Sequence, residues 1–198
     1  IMAGGLGFMV WVELAEYRKK RRLSLHAKVV LQFSVIFWVG GAVLLALLEW
    51  SNPRTMGGLS VPGKIMAALF QSVSTRTAGM NTIDLAACSP ISKLLMSVLQ
   101  FIGAAPGSTG GGVKVTTFAV LSVAQGRDDC VIGGHHIESK TVYRALTIIV
   151  IGAVAAFGSA VVVYYNTAET VSVIDCIFES CSAFGTVGLS VGGTGQLK

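Results

Sequence analysis

Phe178-Glu179-Ser180-Cys181-Ser182, then Thr186-Val187-Gly188-Leu189, is a pattern this chain uses twice. The earlier copy is Phe70-Gln71-Ser72-Val73-Ser74, then Thr77-Ala78-Gly79-Met80. One more residue separates serine from threonine in the later copy, so the repeat has diverged. Internal repeats constrain architecture before any local reading does. The surroundings repeat too: a long apolar run, a loop, a short apolar segment, then a polar segment containing glycine.

The first long run is Val29 to Leu48, without a formal charge, closed by Ser51-Asn52-Pro53. The second is Val142 to Tyr165. Each matches the roughly 20 apolar residues that cross a bilayer as helix. The segments Pro62 to Ser74 and Ile174 to Ser182 read as helices too short to cross, the first opening on a proline that suits a first turn. Ile91 to Ile102 reads as apolar helix, breaks at Gly103-Ala104-Ala105-Pro106-Gly107-Ser108-Thr109-Gly110-Gly111-Gly112, and resumes from Val113 to Ala124. Gln125 to Ser139 is polar, with Gly133-Gly134 as a hairpin turn. Ile1 to Leu14 reads as the end of a helix, and its abrupt apolar start leads us to expect residues before Ile1. Of 198 residues 53% are hydrophobic and 13% charged, against about 25% charged in soluble domains. Mean hydropathy is +0.70. The net charge of +5 is scattered except at Arg18-Lys19-Lys20-Arg21-Arg22, so nucleic acid is not an expected partner.

A short helix that stops inside a membrane leaves backbone groups unpaired, which is tolerated only where they line a watery cavity or are buried in protein. The polar segment after each short helix supplies such groups. Its carbonyls can replace the water shell of a cation, and the carbonyl end of the helix favours positive charge. Glycine permits the angles that aim carbonyls at one axis. The repeat therefore has the chemistry of a cation site.

Basic residues set the expected orientation. Arg18, Lys19, Lys20, Arg21, Arg22, Lys28, Arg127, Lys140 and Arg144 fall inside; Arg54, Lys64, Arg76 and Lys93 fall outside. Lys114 lies at membrane depth, either functional or snorkelling to the cytoplasmic side. Arg76 is expected to pair with Asp84 or Glu179. Asp175 and Glu179 share a helix face, drawing cations to the outer mouth or simply solvated. His135 and His136, near Asp128, Asp129 and Glu138, read as a solvated hairpin with metal binding as the alternative. Cys88, Cys130, Cys176 and Cys181 lack metal or redox spacing and read as small apolar fillers. The stretch Gly107-Ser108-Thr109-Gly110-Gly111-Gly112-Val113-Lys114 is not a Walker A loop, because Val113 separates the last glycine from the lysine and no strand precedes it. A hinge or a rigid kink in an interrupted helix remains.

On these residues the chain resembles the Trk/Ktr/HKT superfamily of potassium transporters, in its KtrB-like (TrkH-like) bacterial branch. Thr77-Ala78-Gly79-Met80 and Thr186-Val187-Gly188-Leu189 resemble the third and fourth filter segments. Gly103 to Lys114 resembles the intramembrane loop of the third quarter, and Gly4-Gly5-Leu6-Gly7-Phe8 the start of the second quarter's last helix. The resemblance implies an all-α membrane protein of span–pore helix–filter units around one pore. Residues 1–25 would end the preceding quarter. Residues 26–125 would be the third (span 28–50, pore helix 62–74, filter 75–82, interrupted span 90–124). Residues 126–141 would connect, and 142–198 would be the fourth without its last span (span 142–165, pore helix 172–183, filter 184–190).

The resemblance further implies that K+ is carried and bound by backbone carbonyls of Thr77, Ala78, Gly79, Met80, Thr186, Val187, Gly188 and Leu189. Gly103, Pro106, Gly107, Ser108, Thr109, Gly110, Gly111, Gly112 and Lys114 would form a gate below them. It implies a multi-pass protein of the cell inner (plasma) membrane, a homodimer, contacting lipid and a cytosolic nucleotide-binding regulatory subunit (KtrA-like or TrkA-like). The chain itself would bind no cofactor, with Na+ a candidate coupling or activating ion. Met80 and Leu189 stand where a strict potassium-channel TVGYG has tyrosine, and Asn81 and Ser190 where it has its second glycine. Selection among alkali cations therefore stays open. No covalent chemistry is needed, so an enzyme is not expected. The competing readings are a secondary transporter whose broken helices bind another cation or small solute at mid-membrane, and a membrane nucleotide hydrolase.

Overall fold

Serine starts four of the helices. Ser24, Ser60, Ser89 and Ser172 each accept a backbone N–H in the following turn, opening α3 (Leu25–Glu49), α4 (Val61–Ser74), α5 (Pro90–Phe101) and α8 (Val173–Phe184). Each cap stabilises its helix by about 1 kcal/mol. Proline in the first turn of α4 and α5 gives up only an N–H that has no partner there. The computed structural model describes residues 2–124, 130–132, 135–167 and 171–192. The remaining helices are α1 (Met2–Gly5), α2 (Phe8–Lys20), α6 (Val115–Ala124) and α7 (Ser139–Thr167).

α3 and α7 are long and apolar enough to cross a membrane. Their outward residues, among them Val35, Ile36, Leu47, Val154 and Val162, are large, apolar and exposed. In water such faces would be patches needing a partner; lipid supplies one. α4 and α8 are too short to cross. They pack against α3 and α7 respectively, and α8 also lies along α5.

The core sits between α3, α4, α5 and α8. Leu45, Met56, Leu85, Met96 and Phe178 are almost fully buried there, joined by Val187 and Leu189 from the segment after α8. Gly41 lets α4 approach closely, since a Cβ there would overlap the Ser72 hydroxyl, which donates to the Trp38 carbonyl at 2.8 Å. At the C-terminal end of α3, fully buried Glu49 accepts from Asn52 Nδ2, Thr55 Oγ1, the Ser89 N–H and Ser92 Oγ at 2.6–2.8 Å. One carboxylate thereby ties the end of α3 to the start of α5. Cys88, Cys176 and Cys181 are free and buried; burial pushes the Cys88 thiol, in the loop before α5, up to about 12. They pack as small apolar groups, while the Cys130 side chain lies outside the described residues.

One sequence expectation, a single helix at the start of the chain, is corrected. Among the described residues the fold is helical, as expected, except for β1 (Cys130–Ile132) and β2 (His135–Ile137), an antiparallel pair with Ile132 opposite His135 that flanks the expected hairpin turn. The Gly133-Gly134 turn itself, Arg127, Asp128 and Asp129 lie outside the described residues, as do the side chains of His135 and His136. The first apolar stretch is not one helix ending near Leu14. It breaks at Gly7, whose φ is +80° and whose missing Cβ makes room for the Pro106 carbonyl, and α2 then continues through Lys20. Basic residues suit a final turn because its free carbonyls carry partial negative charge.

Candidate functional site

The helix ends place the two Thr-x-Gly segments. In the first copy the Ala78 N–H bonds the Ser74 carbonyl at 3.1 Å; in the second the Val187 N–H bonds the Ser182 carbonyl at 2.9 Å. The extra residue of the second copy is thus taken up before its threonine, where α8 runs two residues past Ser182 to Phe184. Beyond that point the copies coincide. Thr77 and Gly79 have φ of 82° and 67°, Thr186 and Gly188 of 52° and 85°, and neither Ala78 nor Val187 has positive φ. In an ordinary strand successive carbonyls alternate sides. Reversing the sign of φ at every second residue turns them toward one side, the arrangement that can coordinate a cation. Each segment is tied back to its helix by the same serine. Ser74 Oγ bonds the Met80 carbonyl and accepts the Met80 N–H at 3.0 Å, and Ser182 Oγ donates to the Leu189 carbonyl at 2.6 Å.

The segments lie side by side. A Cβ on Gly79 would overlap the Val187 carbonyl oxygen and come within 3.4 Å of Gly188 Cα. Positive φ and this close approach both call for glycine at position 79.

Directly against them lies the glycine-rich loop. α5 stops at Phe101 and α6 starts at Val115. Between these ends Gly103 N–H bonds the Val113 carbonyl at 2.9 Å and Val113 N–H bonds the Phe101 carbonyl at 3.0 Å, closing the loop at its root. The Gly111 N–H donates to Thr186 Oγ1 at 2.8 Å. The Thr77 methyl fills the space a Gly110 side chain would need, and Thr186 does the same at Gly111. Lys114 Nζ folds back onto the Gly110 carbonyl. The apex is held from α2's side: Phe8 N–H bonds the Gly107 carbonyl at 3.2 Å, and the Phe8 ring covers Gly107, φ +70°. Ser108 Oγ donates to the Ala105 carbonyl at 2.5 Å, buried Gly103 starts the loop, and Thr109 is exposed at its tip. Gly112, φ +72°, makes the last turn before Val113.

Several charged residues differ from the sequence expectation. Arg76 pairs with neither Asp84 nor Glu179. Its Nη2 donates to the Gly103 carbonyl at 2.7 Å, with the guanidinium 5.4 Å from the Phe37 ring centroid. The partly exposed Asp175 carboxylate meets Lys93 Nζ at 2.7 Å across α5 and α8, a partner the sequence did not suggest. Glu179 accepts from Ser190 Oγ at 2.6 Å and the Val191 N–H at 2.9 Å, bracing the strand beyond Gly188. Arg76 and Lys93 are both buried within the protein. Sequence reading missed Glu49, Ser74 and Ser182 as braces. The two serines carried a usable signal, standing at the same place in both copies, while Glu49 sits far in sequence from Ser89 and Ser92. Among the described residues no cluster of His, Cys, Asp and Glu could hold a metal ion.

The family described as "TrkH: Cation transport protein" matches residues 1–197. The chain is 40% identical over 202 residues to the Ktr system potassium uptake protein B of Vibrio alginolyticus, covering 98% of this chain and 44% of that protein. It is 32% identical over 201 residues to the protein of the same name from Bacillus subtilis (strain 168), covering 99% and 45%. It is 34% identical over 204 residues to the potassium/sodium uptake protein NtpJ of Enterococcus hirae, covering 100% and 45%. The chain spans less than half the length of each of these relatives.

Proposed function

This chain belongs to the TrkH family of cation transport proteins, and on that premise we propose that it supplies part of a potassium-uptake pathway through the cell membrane. Ions shed water against the carbonyls of Thr77, Ala78, Gly79, Met80, Thr186, Val187, Gly188 and Leu189. The loop from Gly103 to Lys114 closes the path beneath them and opens under a cytosolic nucleotide-binding subunit. The single observation that carries this reading is the pairing of two helix-end segments with the same φ alternation, Gly79 against the Val187 carbonyl. Carbonyl dipoles turned to one side, without a fixed countercharge, favour a cation weakly enough to let it leave. The partners that fit are bilayer lipid along α3 and α7, the regulatory subunit and a second copy of the protein. Na+ is a coupling or activating ion in this reading, in keeping with the potassium/sodium name of one relative.

The test is potassium-limited growth of an uptake-deficient bacterium carrying the full-length parent protein and its regulatory subunit. Wild type restores growth; Gly79→Ser and Gly188→Ser lose it or shift transport toward sodium. Absence of rescue by wild type present in the membrane would overturn the potassium assignment and favour a secondary transporter.

A further inference from the structure

We propose that Arg76 is a positioning residue that latches the root of the glycine-rich loop to the first Thr-x-Gly turn, so that loop and turn move together. The proposal rests on reading Gly103 to Lys114 as the gate. Arg76 immediately precedes Thr77 and is 5% exposed. Among the described residues it has no carboxylate partner, although an uncompensated buried charge is costly. What it has is the first carbonyl of the loop, Gly103 O, at 2.7 Å. Hydrogen bonds from charged donors are the stronger ones, and low dielectric strengthens them further.

The other flank of the loop is reached through one ring. The guanidinium stands over Phe37, an attractive cation–π placement. Phe37 in turn meets Phe118 of α6 edge-on, centroids 5.6 Å apart. One side chain thus touches the entry to the loop directly and the helix leaving it through a single contact. The root is already closed by the Gly103–Val113 backbone bond, so the loop cannot swing without breaking the Arg76 bond or dragging the Thr77 turn along. Among the described residues, buried Nε and Nη1 of Arg76 have no acceptor, so the Gly103 carbonyl is the one hydrogen-bond partner of the guanidinium there.

The experiment uses the full-length parent protein with its regulatory subunit, in Arg76→Gln, Arg76→Lys and Phe37→Leu forms. Two quantities are read. One is the ratio of potassium uptake with and without the regulatory subunit. The other is the rate at which a thiol reagent labels an added Ala105→Cys, at a fully buried loop position, above the background of the native cysteines. Losing one charge-assisted bond corresponds to about tenfold or more in an equilibrium. Arg76→Gln is expected to raise regulator-free uptake and Ala105→Cys labelling by about that factor. Arg76→Lys, which keeps charge and a donor, stays within about threefold of wild type. Phe37→Leu leaves the hydrogen bond and removes the ring; it raises labelling about threefold, and it decides the matter if Arg76→Gln does not reach the membrane. Wild-type labelling in variants present at wild-type amounts would overturn the latch. Labelling reports loop motion whatever the cargo, so failure of wild type to carry potassium would sink the functional reading while leaving the latch tested.

Discussion

The two Thr-x-Gly segments have one backbone and two kinds of support. After Gly188 the chain is pinned from both sides: Leu189 is 3% exposed in the core, and Glu179 holds Ser190 and Val191. After Gly79 it is not, since Met80 is 61% exposed and Gln71, at the position of Glu179, reaches only Met96 Sδ at 3.9 Å. Before the threonines the order reverses. Arg76 ties the first copy to the loop root, whereas the second has Ala183-Phe184-Gly185 with Phe184 stacked on Phe101 at 5.5 Å. A shared backbone geometry therefore does not require shared side-chain contacts. It requires only the serine tie and a threonine and glycine that accept positive φ.

The largest effect should separate the two glycines. Gly79→Ala puts a methyl into the Val187 carbonyl as well as straining φ, so potassium uptake should be nearly abolished. Gly188→Ala meets nothing nearer than Gly79 Cα at 3.9 Å among the described residues. It suffers only the left-handed backbone, roughly 1–2 kcal/mol, and uptake should fall about tenfold. Equal losses measured by rubidium uptake would show that the close approach is not what makes position 79 glycine.

A smaller difference should separate the threonines. Thr186→Val removes the acceptor of the Gly111 N–H, a net loss of about 1 kcal/mol. Regulator-free uptake should rise about fivefold. Thr77 meets Gly110 mainly through its methyl, which valine keeps, so Thr77→Val should change that uptake by less than about twofold. The reverse ranking would mean that the loop leans on the first segment instead.

The smallest effect compares Glu179 with Gln71, read as thermal unfolding in detergent. Glu179→Ala should cost about 1.5–3 kcal/mol, the usual range for hydrogen bonds to a charged group. Gln71 is fully buried, and its Oε1 has no partner among the described residues. Gln71→Leu should be neutral or slightly stabilising, because it removes a desolvated polar atom. A Gln71→Leu variant as unstable as Glu179→Ala would mean that Gln71 has a partner in the full protein.

Much of this was written in local sequence. Apolar run length marked α3 and α7, Pro62 and the short apolar runs marked the short helices, and the Gly103 to Gly112 run marked the break between α5 and α6. The doubled Thr-x-Gly pattern marked where glycine would free the backbone, though not the positive φ of Thr77 and Thr186. These features depend on neighbours a few residues apart, and one chain displays them. The partners of charged groups were a different matter. Arg76 was expected on Asp84 or Glu179 because charge is all that a sequence displays, yet it took a carbonyl 27 positions away. Lys93 and Asp175 lie 82 positions apart and still form an ion pair. Glu49 gathers donors from Ser89 and Ser92, 40 and 43 positions on. Which buried polar groups meet depends on how the helices cross and how far α8 runs past Ser182. No periodicity records that, because burial selects whichever donor or acceptor packing brings within about 3 Å.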